Sequence, residues 1–166
     1  MTTHTTHRLM LAAGVTVAAV ILTGCGSDSA NKAVEQAIQS ANPTVSADVQ
    51  DGGAGITATD KSGGEISVGT AAKVPADFPS SVPLPDESLQ GAAKGSSTTF
   101  VFTYKTTGTG TDAAKAYASK LAAAGFTIES TGGAANLGGV LAKGKGYNVQ
   151  AISVGGSVLT VAVKPL

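Results

Sequence analysis

The strongest strand and helix patterns of the chain lie in the stretch TTFVFTYKTTGTGTDAAKAYASKLAAAGF, residues 98–126. Its first part alternates, so that Phe100, Phe102 and Tyr104 fall on one face of an extended chain. Period-2 alternation of large apolar residues is typical of a strand with a buried face. The pattern therefore predicts a β-strand over residues 98–104.

Residues 112–124 of the same stretch have the spacing of an amphipathic helix. Thr111 is the predicted N-cap, because a threonine hydroxyl at this position can accept a free backbone N–H. Gly125 is predicted to end the helix in a left-handed conformation, which brings Phe126 back against the last buried turn. The predicted buried face consists of Ala113, Tyr117, Leu121 and Ala124.

Four further strands are predicted after this helix. Alternating runs there are separated by glycine-rich turns, such as Gly144-Lys145-Gly146 and Gly155-Gly156, which are hairpin signals. Residues 88–166 are therefore predicted to form an antiparallel sheet with one packed helix, an α+β domain. The predicted strands cover residues 126–130, 139–143, 147–154 and 157–163.

Upstream, residues 44–70 predict a small three-stranded β-meander. The turns Asp51-Gly52-Gly53 and Asp60-Lys61-Ser62-Gly63-Gly64 separate its alternating runs. A short helix is predicted before it, over residues 31–41, and Pro43 limits the C-terminal end of that helix. The predicted strands cover residues 44–50, 56–59 and 66–68, and the apolar face of the helix consists of Val34, Ala37, Ile38 and Ala41.

A Pro-rich linker is predicted over residues 71–87, which contain VPADFPSSVPLP at 74–85. Closely spaced prolines favour an extended path with few internal hydrogen bonds. Three interpretations remain open: a semi-rigid spacer, a ligand for a groove-bearing partner, or a strap packed over the following domain. Packing as a strap would use Phe78, Val82 and Leu84.

The first 24 residues predict a secretory signal peptide, with an N-terminal signal helix. Arg8 supplies positive charge, and residues 9–22 form an uninterrupted apolar run. A transmembrane helix is the alternative, but this run gives only about 21 Å of helix against a hydrocarbon core of ~30 Å. A cleaved signal is therefore the better interpretation.

The signal ends at Leu22-Thr23-Gly24-Cys25, which closely resembles the lipobox of bacterial lipoproteins. The resemblance implies cleavage between Gly24 and Cys25, and acyl chains such as palmitate attached at Cys25. The chain would then lie at the cell membrane, lipid-anchored on its extracytoplasmic face, because two acyl chains on one residue anchor durably. A plain secretory signal with a free cysteine is the alternative.

The predicted organisation has five parts. Residues 26–31, GSDSAN, are small and polar and predict a flexible tether after the lipidated cysteine that ends in helix-capping residues. The parts are a signal peptide (1–24), the lipidated Cys25 with tether and short helix (25–43), the β-meander (44–70), the linker (71–87) and the α+β domain (88–166).

Three motifs resemble a group of small actinobacterial lipoproteins. They are the Asp60-Lys61-Ser62-Gly63-Gly64 turn, the segment FPSSVPLP at 78–85, and the helix ending Tyr117–Leu121–Gly125-Phe126. That group often has a bulky aromatic pair where this chain has Ala116-Tyr117. The resemblance supports the predicted fold and implies no activity.

Composition excludes several kinds of chemistry. Both histidines and the only arginine precede Cys25, which is itself the only cysteine. No imidazole is left to activate a serine or cysteine, and no Cys/His set is left for zinc. A near-neutral chain without arginine also lacks the electrostatic footprint of a nucleic-acid-binding protein. We therefore predict no enzymatic activity, no cofactor, no metal and no nucleic-acid partner.

Four weaker patterns in the sequence have a chemical and a purely structural interpretation. Ser29-Ala30-Asn31-Lys32 has S-x-x-K spacing, and Gly108-Thr109-Gly110-Thr111 could cradle an anion before a helix. The third is a Ca²⁺ site in the turns, and the fourth is a carboxylate pair for glycoside cleavage. The S-x-x-K spacing and a carboxylate pair are both expected by chance. The Gly/Thr stretch is better explained as a loop between strand and helix, and the carboxylates as turn-forming residues. The turn carboxylates are Asp48, Asp51, Asp60 and Glu65.

The sequence therefore predicts a membrane-anchored extracytoplasmic lipoprotein that acts as a non-catalytic binding or structural module of the cell envelope. An envelope protein is the candidate partner. The alternative is a carrier of a lipid or small apolar ligand enclosed between helix and sheet. A cavity of several hundred Å³ would favour the carrier, and a solid core with an exposed apolar patch would favour partner binding.

Overall fold

A computed structural model describes residues 27–50, 54–95, 98–134, 137–154 and 156–166. The predicted signal helix, the tether residue Gly26, and the predicted site residues Gly24 and Cys25 lie outside the described residues. So do the predicted turn Asp51-Gly52-Gly53 and Gly155.

The described chain forms two helices and one large antiparallel sheet, a mostly β arrangement that agrees coarsely with the predicted α+β class. The helices are α1 (Ser27–Ala41) and α2 (Gly110–Ala123). The strands are β1 (Val45–Gln50), β2 (Gly55–Asp60), β3 (Glu65–Gly69), β4 (Ser88–Lys94), β5 (Phe100–Lys105), β6 (Thr127–Ala134), β7 (Leu137–Gly144), β8 (Tyr147–Val154) and β9 (Val158–Pro165).

The nine strands lie in the order β1-β2-β3-β4-β5-β9-β8-β7-β6. The chain crosses from β5 to the far edge through α2, and then returns strand by strand until β9 pairs with β5. β3 pairs with β4, with Ile66 opposite Ala93. The predicted linker at residues 71–87 therefore connects two neighbouring strands of one continuous sheet.

Helix α1 is longer than predicted. It begins at Ser27, so residues 27–31 are helical and do not form the predicted flexible tether. The apolar spacing indicates only the part of the helix that packs, from Val34 onward, whereas the first turn is polar and carries Asp28, which suits a helix N-terminus. The chain leaves the helix at Asn42, whose N–H donates to the carbonyl of Ile38.

Helix α2 begins two residues earlier than predicted. Its N-cap is Thr109 and not Thr111, and the Thr109 Oγ1 accepts the N–H of Asp112 at 3.1 Å. The predicted ending is confirmed, because Gly125 has φ +85° and the N–H of Phe126 donates to the Leu121 carbonyl. Ala113, Tyr117 and Leu121 are buried as predicted, together with Ala114 and Ala118, while Ala124 is half-buried.

The Pro-rich segment is a strap, which we define as residues 71–87. Val82 is buried, and Phe78 packs edge-on against both Phe100 and Phe102, with ring centroids 5.3 and 5.0 Å away. The Tyr117 hydroxyl donates to the Pro83 carbonyl at 2.9 Å and so ties α2 to the strap. Of the three interpretations, the packed strap is confirmed.

Candidate functional site

The sheet has two unlike faces, because successive side chains of a strand point to opposite sides. The inner face carries Phe102 of β5, and α2 and the strap cover it. The outer face carries the alternate residues, such as Val101, and it includes two rows of residues paired from strand to strand. The first row is Ala47, Ala58, Ile66, Ala93, Val101, Ala162, Gln150, Leu141 and Ser130; the second is Val49, Ile56, Val68, Gly91, Thr103, Thr160, Ile152, Gly139 and Gly132.

Neither row contains an ionisable side chain, although both run across all nine strands. Most of the large apolar side chains that the described chain exposes also lie on this face. They are Ile66 (51% exposed), Val68 (39%), Leu137 (51%), Leu141 (43%), Ile152 (40%) and Val158 (40%). They form two groups, one on β3 and one on β7 to β9, and clusters of exposed apolar side chains are typical of binding surfaces.

Helix α1 covers only the β1 end of the outer face. Val49 is buried, whereas its neighbours Asp48 and Gln50 point to the other side and are exposed. The carboxylate of Glu35 accepts the Val49 N–H at 2.9 Å, which fixes the helix on this strand. Among the described strands, α1 contacts β1 alone. The rest of the outer face is left without a covering helix.

An open groove of about 420 Å³ lies on the outer face beside the region that α1 covers. Five neighbouring strands line it with one apolar side chain each. Two turns at the same end of the strands border it, the β2–β3 turn at Asp60 and Gly64 and the β4–β5 turn at Gly95 and Thr99. The apolar lining residues are Val45, Ala58, Ile66, Ala93 and Val101.

The ionisable groups at this groove already have partners within the protein. Asp60 Oδ1 accepts the backbone N–H groups of Ser62 and Gly64, at 2.7 and 2.9 Å. Glu65 and Lys94 alternate onto the inner face, where Glu65 pairs with Lys73 and Lys94 pairs with Asp77 of the strap. The groove therefore offers apolar contact rather than a free charge.

The two candidate motifs near helix starts are parts of the helices and of the capping turn of α2. Ser29-Ala30-Asn31-Lys32 lies inside α1, with Lys32 exposed. In Gly108-Thr109-Gly110-Thr111, the Thr109 hydroxyl donates to Asp112 Oδ2 at 2.7 Å, so a carboxylate of the chain already lies at this helix N-terminus. An incoming anion would meet that negative charge.

The predicted turn carboxylates are not brought together. Asp60 closes its own turn, Asp48 accepts from the Gln50 amide, and Glu65 faces Lys73. Asp51 lies outside the described residues. Within the described part of the chain, no group of three or more acidic, histidine or cysteine side chains is arranged to hold a metal ion.

Two buried tyrosines are the most perturbed ionisable groups of the core. Burial raises the pKa of Tyr104 and of Tyr117 well above the ordinary tyrosine value. Tyr117 donates to the Pro83 carbonyl, while the Tyr104 hydroxyl has no hydrogen-bond partner. Both phenols therefore stay protonated at neutral pH, and their surroundings give them a role in packing.

Sequence reasoning missed the outer face as a site, although one signal for it was present. In β8, Val149 and Ala151 point inward and are buried, yet Ile152 on the opposite face is also a large apolar residue. Apolar residues on both faces of a strand predict that both faces are covered. The sequence does not say what would cover the second face.

None of the helices in the described residues is both long enough and apolar enough to cross a membrane. Comparison of the chain with protein-family models, with curated proteins and with solved structures gives no match in any of the three.

Proposed function

We propose that this protein is a lipid-anchored, extracytoplasmic binding module of the cell envelope that performs no catalysis and binds apolar molecules through the outer face of its sheet. One observation carries the proposal. The outer face presents two uncharged rows across nine strands, and most of the exposed large apolar side chains lie on it. Keeping such a surface open to water is unfavourable unless it binds something.

The start of α1 supports a close association with the membrane. Ser27 is the first residue of α1 and follows the lipobox cysteine by two positions. Two residues of extended chain span at most about 7 Å. Lipid on Cys25 would therefore hold the folded domain directly at the bilayer surface, with no long flexible tether.

The contacts of the polar residues support a non-catalytic role. The lysines and carboxylates at the strap pair with each other, as Lys94 does with Asp77 and Lys120 with Asp86. Among the described buried hydroxyls, Ser67 bonds to the Lys73 backbone and Thr106 to the Gly108 carbonyl, while those of Tyr104, Thr111 and Ser153 have no hydrogen-bond partner. None of these arrangements brings a nucleophile next to a base, which covalent catalysis requires.

The groove favours the second candidate function, a carrier of a lipid or small apolar ligand. Its 420 Å³ is within the range of small-molecule sites. It lies on the outer face, whereas the expected place was between helix and sheet. Between α2 and the sheet, Leu121, Leu159 and Val161 are fully buried, and the cleft that α2 forms with β6 and β7 has a volume of only about 190 Å³.

Site-specific photo-crosslinking in intact cells tests the outer face as a binding surface. A photo-reactive residue replaces Ile152 on the outer face or, as a control, Lys115 on the exposed side of α2. We expect a defined adduct from position 152 that is lost when Leu141→Lys is added, because a charge disrupts the uncharged surface. Equal adducts from both positions, or an adduct at 152 that Leu141→Lys leaves unchanged, would contradict the proposal.

The anchoring is tested separately with Cys25→Ala. We expect wild type in the membrane fraction with a lipid-modified N-terminal cysteine by mass spectrometry, and the alanine variant without either property. An unmodified thiol on the wild-type protein would remove this part of the proposal.

A further inference from the structure

We propose that the groove on the outer face holds one acyl chain of a membrane lipid, lying across β1 to β5 with its headgroup outside the groove. This inference rests on the proposed function and names its ligand class. The groove is the apolar strip formed by Val45, Ala58, Ile66, Ala93 and Val101.

The length of the groove matches one acyl chain. Its apolar lining comes from five adjacent strands, and neighbouring strands lie about 4.8 Å apart, so the strip is about 19 Å long. A bilayer core of ~30 Å contains two leaflets, so one acyl chain extends about 15 Å. A single chain therefore fits lengthwise.

The width of the groove argues against a helical peptide as the occupant. Measured along the strand direction, the lining extends from Ala58 to Asp60 and from Gly64 to Ile66. Each of these distances is two residue steps, about 7 Å. An α-helix with its side chains is about 10–12 Å across. The width of this strip therefore matches a hydrocarbon chain better than it matches a helix.

The polarity of the lining indicates which part of a lipid binds. Asp60 closes its own turn, while Glu65 and Lys94 pair with residues of the strap on the other face. No charged partner at the groove is therefore free to bind a phosphate or carboxylate headgroup, and the apolar chain is the part that matches. Anchoring through Cys25, two residues before α1, would place the groove within reach of such lipids.

The test uses the full-length lipidated chain, purified from membranes and reconstituted in phosphatidylcholine vesicles. A fraction of the phosphatidylcholine carries a diazirine in one acyl chain, and irradiation followed by mass spectrometry maps the adducts. We expect adducts on the peptides that contain Ala58, Ile66 and Ala93. Ala93→Leu, which fills the groove, should lower their yield by about tenfold, equivalent to ~1.4 kcal/mol of binding.

Two further variants keep the result interpretable. Ala116→Leu makes the same substitution on the exposed side of α2 and should leave the adducts unchanged. Ile66→Asp places a charge in the groove. Because the Ile66 side chain is half-exposed, this variant should fold, and it should abolish the adducts. It therefore tests the groove independently if Ala93→Leu disturbs folding.

The outcomes separate this inference from the proposed function. Adducts confined to the peptides with Leu141 and Ile152 would overturn the groove as the acyl site and leave the outer face as a binding surface. Adducts spread evenly over the protein, or absent, would overturn the acyl-chain inference.

Discussion

The inner and outer faces of the sheet are formed by the same strands, yet only one of them is closed. On the inner face, Phe102, Val161 and Ala151 lie fully buried beneath the strap and α2. On the outer face, their neighbours in the chain are half-buried, as Val101 and Ala162 are, or exposed, as Ile152 is at 40%. The apolar content of a strand therefore does not determine which of its two faces is buried. The covering elements decide that.

The two faces also change character along the sheet. In β1 to β3 the inner face is polar, with Asp48, Thr57 and Ser67 paired across it, while the outer face is apolar and α1 covers its edge. From β4 onward the inner face becomes the main core. Beyond the reach of α1, the two rows of the outer face contain no ionisable side chain but mix apolar residues such as Leu141 and Ile152 with polar ones such as Thr103 and Gln150, and this part is the candidate binding surface.

The largest expected difference between the faces is in the cost of truncating a leucine. Leu121→Ala, in the covered core, should lower the free energy of unfolding by about 2–5 kcal/mol, because it leaves a cavity. Leu141→Ala, on the outer face, should change it by only about 0.5 kcal/mol. Equilibrium urea unfolding followed by circular dichroism measures both. Equal losses would show that the outer face is covered in the isolated protein.

A pair of glycines tests how closely α2 approaches the inner face. A Cβ at Gly110 would lie 1.5 Å from Ser153 Oγ and 2.5 Å from its Cβ, whereas a Cβ at Gly108 would meet nothing within 4 Å. Gly110→Ala should therefore destabilise the fold by about 1–3 kcal/mol through overpacking, and Gly108→Ala should not. Thermal unfolding of the two variants compares them directly. Similar melting temperatures would mean that α2 can shift away from β8 at little cost.

The two buried tyrosines test how the strap is held. Tyr117→Phe removes the hydrogen bond to the Pro83 carbonyl and leaves that acceptor without its partner, so we expect a loss of about 1 kcal/mol. Tyr104→Phe removes a buried hydroxyl that has no partner, so it should be neutral or slightly stabilising. Urea midpoints of the two variants give the comparison. A larger loss for Tyr104→Phe would contradict this account of the strap.

The smallest expected effect concerns the ion pair of the strap with β4. The hydrogen bond from Lys94 lowers the pKa of Asp77 below its ordinary value. Because the native pKa is the lower one, the pair stabilises the fold above the unfolded value of about 3.9, and this contribution is lost as the pH falls through the native pKa.

The urea midpoint of wild type should therefore exceed that of Asp77→Asn by a small, constant amount between pH 6 and 8, and the two should converge as the pH falls below the lowered native pKa of Asp77. A difference that persists at low pH would show that the asparagine acts through something other than charge.

Local elements could be predicted from the sequence where the pattern was strong. β5, the ending of α2 at Gly125 and the turn at Asp60 all follow from side chains within a few residues of each other. The sequence does not predict a definite strand at the position of β4, because Gly91, Ala92 and Ala93 have weak strand preference. It forms because β3 and β5 pair with it on both sides.

The candidate site could not be predicted in the same way. Its groove combines Val45 with Val101, residues from strands that neither pair with each other nor adjoin in the chain. Alternation assigns each of them to one side of its own strand but does not say that this side stays open.

By itself, the sequence determined the local conformations: α2 and its C-terminal glycine stop, the alternating strands and their turns, because each depends on neighbours in the chain. It also set the composition, which leaves no histidine after Cys25. The tertiary structure alone decided that nine strands join in one sheet, that the strap and α2 close the inner face, and that the outer face keeps an open groove. Those features depend on pairing between distant strands, such as β5 with β9, which no local pattern specifies.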